Sequence, residues 1–272
     1  MRPVETGRIT SSYAFARGKR LKFSIVIPTY NEAGGIERLI ETLAGVFASA
    51  GIDGEMIVVD DNSPDGTGAI VDGLASRYPV RCLHRPGKMG LSSGVIDGWN
   101  FARKDSAYLG SIDADFSHDP TIVPAMVAAL DSGKYGLAIG SRYVKGGGIS
   151  NWPMKRILTS KVACLLAYPL TPILDITSGF LLVKREALEG VELDPIGFKI
   201  GLEVAAKARY GKAIEIPYVF TDRIVGESKL NGKEIQNYLR QLGRIYASRL
   251  FGRRSKAATV SISSGVTEQK PA

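Results

Sequence analysis

Five short, mainly apolar runs recur through the first half of the chain, at 23–28, 56–59, 80–83, 107–112 and 135–139, the first two rich in β-branched residues. Each is too short for a stable helix and is bounded by turn formers, so each reads as a buried strand. Segments with helical spacing lie between them. Ile36, Leu39, Ile40, Leu43, Val46 and Phe47 mark one helix, the turn-forming cluster 60–67 offers an N-cap for another reaching about Tyr78, and 92–104 and 120–131 carry two more. Strands alternating with helices predict an α/β fold with a mainly parallel central sheet flanked by helices. Ligands of such sheets bind beyond the carboxyl ends of the strands, which directs attention to the loops after the first, second and fourth runs. Those loops are rich in Asp, Asn, Glu and Pro.

Past residue 140 the alternation loosens. A helix is expected at 153–168, a strand at 178–183, a helix at 201–210 and a strand at 213–219, before Ile235, Tyr238, Leu239, Leu242, Ile245 and Tyr246 mark a final amphipathic helix. The glycines 146–148 read as a flexible loop and match no P-loop or dinucleotide fingerprint. A length of 272 residues accommodates one large domain, placed at 22–250 and divided into 22–140 and 141–250. Residues 1–21 are expected to form a basic unstructured segment, and 251–272 a basic, then polar, unstructured tail.

The net charge of +8 is carried by the two ends. Residues 1–22 hold six basic residues against one acidic, and 249–272 hold five against one, leaving the stretch between them near neutral. Basic ends suit an anionic membrane surface, or are simply solvated. Nucleic acid is not an expected partner, because a binding stripe belongs on the folded surface and the central region has no charge excess. Cys82 and Cys164 belong to no C-x-x-C pair, which fits a reducing, cytoplasmic compartment. No apolar h-region follows the first basic residues, so no signal peptide is expected. The longest apolar run, 162–174, is interrupted by Pro169 and Pro172 and falls short of a bilayer span.

Chemistry gathers first at Asp113 and Asp115, two carboxylates directly after the strand at 107–112. Hard oxygen donors of this kind suit Mg²⁺ or Mn²⁺, and an ion held by only two of them keeps positions open for substrate phosphates. A D-x-D string alone is a weak signal. Its place after a buried strand, with Asp60 and Asp61 after another, strengthens it. His84 and His118 are too separated to form a metal site; His118 reads as a loop residue beside the acidic motif and His84 as structural.

With the first loop added, the strings Ile27-Pro-Thr-Tyr-Asn-Glu32, Val58-Val-Asp-Asp-Asn-Ser-Pro-Asp-Gly-Thr67 and Asp113-Ala-Asp115 resemble the nucleotide-sugar half of glycosyltransferase family 2. Within that family the chain is most similar to dolichol-phosphate (polyprenol-phosphate) mannose synthases. Further strings carry that likeness: Gly140-Ser-Arg-Tyr-Val-Lys-Gly-Gly147, Asn151-Trp-Pro153 before Arg156, Asp175-Ile-Thr-Ser-Gly-Phe180, and Phe220-Thr-Asp-Arg-Ile-Val-Gly-Glu-Ser-Lys229. The resemblance implies a GT-A fold that takes mannose from GDP-mannose and places it on dolichyl or polyprenyl phosphate, with inversion in a single displacement. The donor half is then 22–140 and the acceptor half 141–250. By position, Pro28, Tyr30, Glu32, Val59 and Asp60 would line the guanosine site, with Asp113, Ala114 and Asp115 at the diphosphate and metal. Some relatives carry Gln two residues past the second Asp as a further metal ligand. Here that position is Ser117, which leaves its ligation, through water, open.

The implied acceptor is a phosphate already ionised at pH 7, so positioning is a larger demand than a general base. No Glu-Asp base pair or Gln-x-x-Arg-Trp string of hydroxyl-acceptor relatives is found here. Arg142, Arg156, Arg223 and Lys229 match family positions that bind the acceptor and donor phosphates, and Arg223 and Lys229 join Asp113 and Asp115 as the expected catalytic set. Gly226 and Ser228 beside Lys229 favour a backbone-lined cradle. Asn151 as cap and Pro153 at the first turn would start a helix whose Met154, Ile157, Leu158, Cys164, Leu165 and Tyr168 form an apolar stripe. That stripe is either core or an interfacial surface that guides the lipid tail, with Trp152, Lys155 and Arg156 at headgroup level. Attachment to the cytoplasmic face of a membrane would be peripheral or borrowed from a small anchoring partner. The competing readings are a UDP-sugar-dependent polyprenyl-phosphate glucosyl- or N-acetylglucosaminyltransferase and a non-catalytic nucleotide-sugar-binding or membrane-docking subunit.

Overall fold

The computed structural model describes residues 4–6, 22–221 and 232–251. The first apolar run becomes β2 (Lys22–Thr29), after a three-residue strand β1 (Val4–Thr6) that lies inside the segment expected to be unstructured. Then follow α1 (Ile36–Ala50), β3 (Asp53–Asp60), α2 (Thr67–Leu74), β4 (Val80–His84), α3 (Leu91–Phe101), β5 (Tyr108–Ser111), α4 (Val123–Asp131) and β6 (Leu137–Ser141). The second half adds β7 (Gly148–Ser150), α5 (Met154–Ala167), β8 (Leu181–Lys184), α6 (Ile200–Lys207), β9 (Ala213–Pro217), β10 (Val219–Thr221) and α7 (Gly232–Phe251). Eight strands form one sheet in the order β1-β9-β6-β8-β5-β2-β3-β4. Every pairing is parallel except those of β8, which runs antiparallel to both β5 and β6.

Alternation explains how so apolar a sheet fills two cores. Along β3, Met56 and Val58 join Phe23, Ile25 and Ile27 of β2 on one face, packed under Ile36, Leu39, Ile40, Leu43 and Phe47 of α1. Ile57 and Val59 point the other way with Val26, against Val95, Ile96 and Trp99 of α3. Trp99 is 1% exposed and its indole N–H donates to the Gly110 carbonyl at 2.8 Å, so its polar atom is satisfied inside the core.

Two expectations from sequence are corrected. The glycines at 146–148 do not form a free loop, since Gly148–Ser150 pairs with Val219–Thr221 as a second, two-stranded sheet. A Cβ on Gly147 would sit 2.5 Å from the Ser141 carbonyl oxygen, so glycine here permits a close backbone approach. The start of α5 also differs: Pro153 is the N-cap residue and makes no side-chain capping bond, while Asn151 holds a left-handed φ of 64° in the preceding turn.

The arrangement places the carboxyl ends of β2, β3, β5 and β6 along one edge. Because β8 is reversed, it is the segment entering β8, residues 175–180, that reaches this same edge. Trp99→Ala should cost about 3–5 kcal/mol in denaturant unfolding, as expected for a large buried aromatic that leaves a cavity.

Candidate active site

At the carboxyl edge the loops after β2 and β3 are laced together. The Asn31 amide donates to Ser63 Oγ, Glu32 N–H to Thr67 Oγ1 and Ala33 N–H to Asp65 Oδ2, each at 3.0 Å. Asp60 is buried and accepts from Thr29 Oγ1 (3.1 Å), from the Ser63 amide (3.0 Å) and from the Ser63 hydroxyl. Asp61 accepts from the Met89 and Gly90 amides at 3.0 Å and pairs with the buried Arg85 Nη1 at 2.9 Å. These carboxylates therefore hold the loop walls in place. Tyr30 stands more open, with the Lys88 ammonium 4.0 Å from its ring centre.

A cavity of about 580 Å³ opens beyond β5 and β6. Asp113, Asp115, Ser117, His118, Arg142, Arg156 and Lys199 line its polar end, and Val162, Ala163 and Leu166 of α5 with Ile235, Tyr238 and Leu239 of α7 line its apolar end. Of the residues singled out from sequence, Asp113, Asp115, Ser117, Arg142 and Arg156 are thus brought together. Pro28, Tyr30, Glu32, Val59, Asp60 and Ala114 sit along the edge outside this lining. Arg223, Lys229, Gly226 and Ser228 lie outside the described residues.

Local geometry shapes the acidic loop. The Ser117 amide donates to Asp115 Oδ1 at 3.0 Å, and Ser117 Oγ is buried with no partner among the described residues. His118, which sequence placed merely beside the motif, is buried and stacked on Phe180 with centroids 5.1 Å apart. Its Nδ1 accepts from the Asp113 amide at 3.1 Å, so the neutral ring carries its proton on Nε2. Burial pulls its pKa below the ordinary histidine value against the opposing pull of Asp113 and Asp115. A neutral imidazole thus props up the backbone of Asp113.

Arg142 is not the open anion grip that its motif implied. Its Nε and Nη2 donate to the two oxygens of Asp175 at 2.7 and 2.6 Å, its amide donates to Asp175 Oδ2 at 2.8 Å, and Nη2 also reaches Thr177 Oγ1 at 2.7 Å. Burial works against the guanidinium charge, but Asp175 outweighs it and raises the pKa above the usual arginine value. Behind the pair stands Glu215 of β9, fully buried, which accepts the Leu174 and Asp175 amides at 2.8 and 3.0 Å. Burial lifts the Glu215 pKa and these N–H donors hold it down. The Arg156 guanidinium lies 4.0 Å from the Trp152 ring centre, and that of Arg142 lies 5.0 Å from it. Trp152 therefore carries two cations on its π-system.

Lys199 was not anticipated from sequence, because a lone lysine before a short helix looks solvated. The structure turns it into the cavity, with its ammonium donating to the Thr177 carbonyl at 3.1 Å. Burial, helped by Arg142, pulls its pKa down to about 8. His84 sits at an exposed strand end, with its Nε2 2.9 Å from Asp72 Oδ2 and its Nδ1 3.9 Å from Cys82 Sγ.

The core-helix reading of α5 fails. Only Cys164 and Ala167 of its residues are buried, while Met154, Leu158 and Leu165 are 77%, 62% and 70% exposed. Tyr238 and Tyr246 of α7 donate to the Ala163 and Leu166 carbonyls at 2.6 and 2.8 Å, fixing the two helices as walls of one trough. No helix among the described residues is long and apolar enough to cross a membrane.

The sequence profile of glycosyl transferase family 2 matches residues 24–191. The chain belongs to this family. A dolichol-phosphate mannosyltransferase of Pyrococcus furiosus is 44% identical over 229 residues, covering 83% of the chain and 64% of the relative, so the chain spans less than two thirds of that protein's length. A Saccharomyces cerevisiae dolichol-phosphate mannosyltransferase is 39% identical over 237 residues, covering 83% of the chain and 87% of the relative. Among solved structures, glucosyl-3-phosphoglycerate synthase of Mycobacterium tuberculosis in complex with Mn²⁺, UDP and glucosyl-3-phosphoglycerate superimposes with a TM-score of 0.62 at 20% identity, over 91% of this chain and 88% of that one. The fold of this family 2 member is accordingly the GT-A fold.

Removing one partner of a buried ion pair strands the other charge, so Asp175→Asn should destabilise the protein by about 3–5 kcal/mol in denaturant unfolding.

Proposed function

We propose that the chain transfers mannose from GDP-mannose to the phosphate of a dolichyl or polyprenyl lipid at a membrane surface. The observation that carries this reading is a cavity lined both by carboxylates and cations and by an apolar trough between α5 and α7. A charged headgroup on a long hydrocarbon tail matches both ends. The dolichol-phosphate mannosyltransferases among the relatives support mannose as the transferred sugar and a lipid phosphate as the acceptor.

Asp113, Asp115 and the unpartnered hydroxyl of Ser117 make an all-oxygen donor set that fits Mg²⁺ or Mn²⁺. Such an ion, when bound, stabilises the negative charge that develops on the departing diphosphate. Within this reading Pro28, Tyr30, Glu32, Val59, Asp60 and Ala114 line the nucleoside side, on loops already braced against each other. Arg156 engages the acceptor phosphate, while Arg142, anchored by Asp175, contributes field and shape more than free donors. Arg223 and Lys229 complete the phosphate set on this proposal. His118 and Phe180 keep the Asp113 backbone fixed, so the site enters the reaction preorganised. The ionised lipid phosphate attacks the anomeric carbon without a protein base, and a single displacement inverts that centre.

The exposed face of α5 rests on the cytoplasmic side of the membrane, with Met154, Leu158 and Leu165 in the acyl boundary and Lys155 and Arg156 at the headgroups. A small anchoring partner remains compatible with this placement.

Purified protein with Mg²⁺ or Mn²⁺, a polyprenyl phosphate and labelled GDP-mannose should yield label extractable into organic solvent, and Asp115→Ala should lower that rate by about a hundredfold or more without unfolding the protein. Label appearing only from a UDP-sugar would reassign the donor; no label from any sugar nucleotide would refute the transferase reading. Leu158→Glu with Leu165→Glu should abolish co-sedimentation with anionic lipid vesicles while leaving the melting temperature within a few degrees, because both side chains already face water.

A further inference from the structure

Among the described residues four cations line the cavity: Arg142, Lys155, Arg156 and Lys199. They are not equivalent. Arg142 has its charge matched by Asp175 in a two-pronged pair and spends a further donor on Thr177. Lys199 has no such counterion: among the described residues no carboxylate lies within ion-pair distance of it, and its ammonium makes one hydrogen bond, to the Thr177 carbonyl at 3.1 Å. An ammonium carries three donors, so the remaining two are available to a ligand. The residue is also held in place. Its carbonyl accepts from Gln241 Nε2 of α7 at 3.2 Å, and its ammonium lies 4.3 Å from the centre of the Phe198 ring.

Placement selects the ligand. The electrostatic neighbours of Lys199 are Asp113 from the acidic loop, Arg142 after β6, Asp175 before β8 and Cys164 on α5, so the ammonium sits where the acidic end of the cavity meets the apolar trough. Glu234 and Tyr238 of α7 border the same cavity. A partly desolvated cation without a counterion is an unfavourable feature of a resting protein unless a substrate anion completes it. On the proposed function, the anion that reaches this junction is the headgroup of the lipid acceptor.

We infer that Lys199 binds the acceptor phosphate directly and orients the attacking oxygen, as an acceptor-specific residue beyond those marked by the family motifs. This inference rests on the acceptor being a lipid phosphate. The lysine holds its proton below about pH 8 and loses it above, so the interaction weakens as pH rises. A phosphate monoester, with its second pKa near 6, is fully ionised over that range, and arginines keep their charge.

The test compares wild type, Lys199→Met and Lys199→Arg in initial-rate assays in which lipid phosphate and sugar nucleotide are varied separately. Lys199→Met should raise the acceptor KM about tenfold or more, as expected for loss of a hydrogen bond to a charged group, with the donor KM unchanged. Lys199→Arg should recover most of that loss and move the alkaline decline of kcat/KM for the acceptor to higher pH. An unchanged acceptor KM in Lys199→Met, equal changes in both KM values, or an unmoved alkaline limb in Lys199→Arg would overturn the inference. A binding measurement on the wild-type protein stands apart from turnover and from the folding of any variant: affinity for farnesyl phosphate should fall about tenfold between pH 7 and pH 9.5, and a flat profile overturns the role of Lys199. If farnesyl phosphate binds with this pH dependence while no sugar nucleotide supports transfer, the transferase reading fails and the lysine assignment holds.

Discussion

The buried pair of Arg142 and Asp175 is the joint on which the second half of the structure turns. Asp175 uses both oxygens on one guanidinium and also takes the Arg142 amide, so the loop after β6 and the loop before β8 are tied at backbone and side chain together. Glu215, reaching from β9, clamps the Leu174 and Asp175 amides from the far side. Three strands of one sheet thus converge on a single fixed charge pair. Thr177, whose hydroxyl meets Arg142 and whose carbonyl meets Lys199, extends this bracing to the cavity wall.

The reversal of β8 makes that joint possible. Had β8 run parallel to its neighbours, the residues entering it would lie at the opposite edge of the sheet, away from Asp113 and Arg142. Antiparallel entry brings Ser178 and Gly179 to the acidic loop, where Gly179 lies close enough that a Cβ would be 3.8 Å from Asp113 Oδ1. One inverted strand in a parallel sheet therefore joins the carboxyl edge of the first strands to a second wall supplied by later sequence.

Much of this was legible because the signals were local. The runs at 23–28 and 56–59 lie within β2 and β3, and the apolar spacing from Ile36 to Phe47 lies within α1, since period and burial agree there. Asp113 and Asp115 were legible as a pair after a strand. What sequence left out depends on tertiary partners. Val4–Thr6 is a strand only because β9 offers an open edge, and Gly148–Ser150 only because β10 runs beside it. Arg142 looked like a free cation because its counterion lies 33 residues away. Lys199 drew no reading because nothing near it in sequence announces the cavity, and His118 looked incidental because its stacking on Phe180 joins residues far apart along the chain. The apolar stripe of α5 was visible from spacing, but spacing alone does not say which medium it faces.

The exposed side of α5 sets two solvents against each other in one stretch of sequence. Met154, Leu158 and Leu165 are as apolar as a core, yet they are exposed and share their helix with Lys155, Arg156 and Lys161. Each further apolar substitution there would strengthen lipid contact and weaken solubility in the same stroke, and each further charge would do the reverse. On the proposed function, the composition of this helix is a phase boundary written into the chain: the donor sugar would arrive from a volume, the acceptor lipid from a plane, and the protein would work where the two dimensions meet.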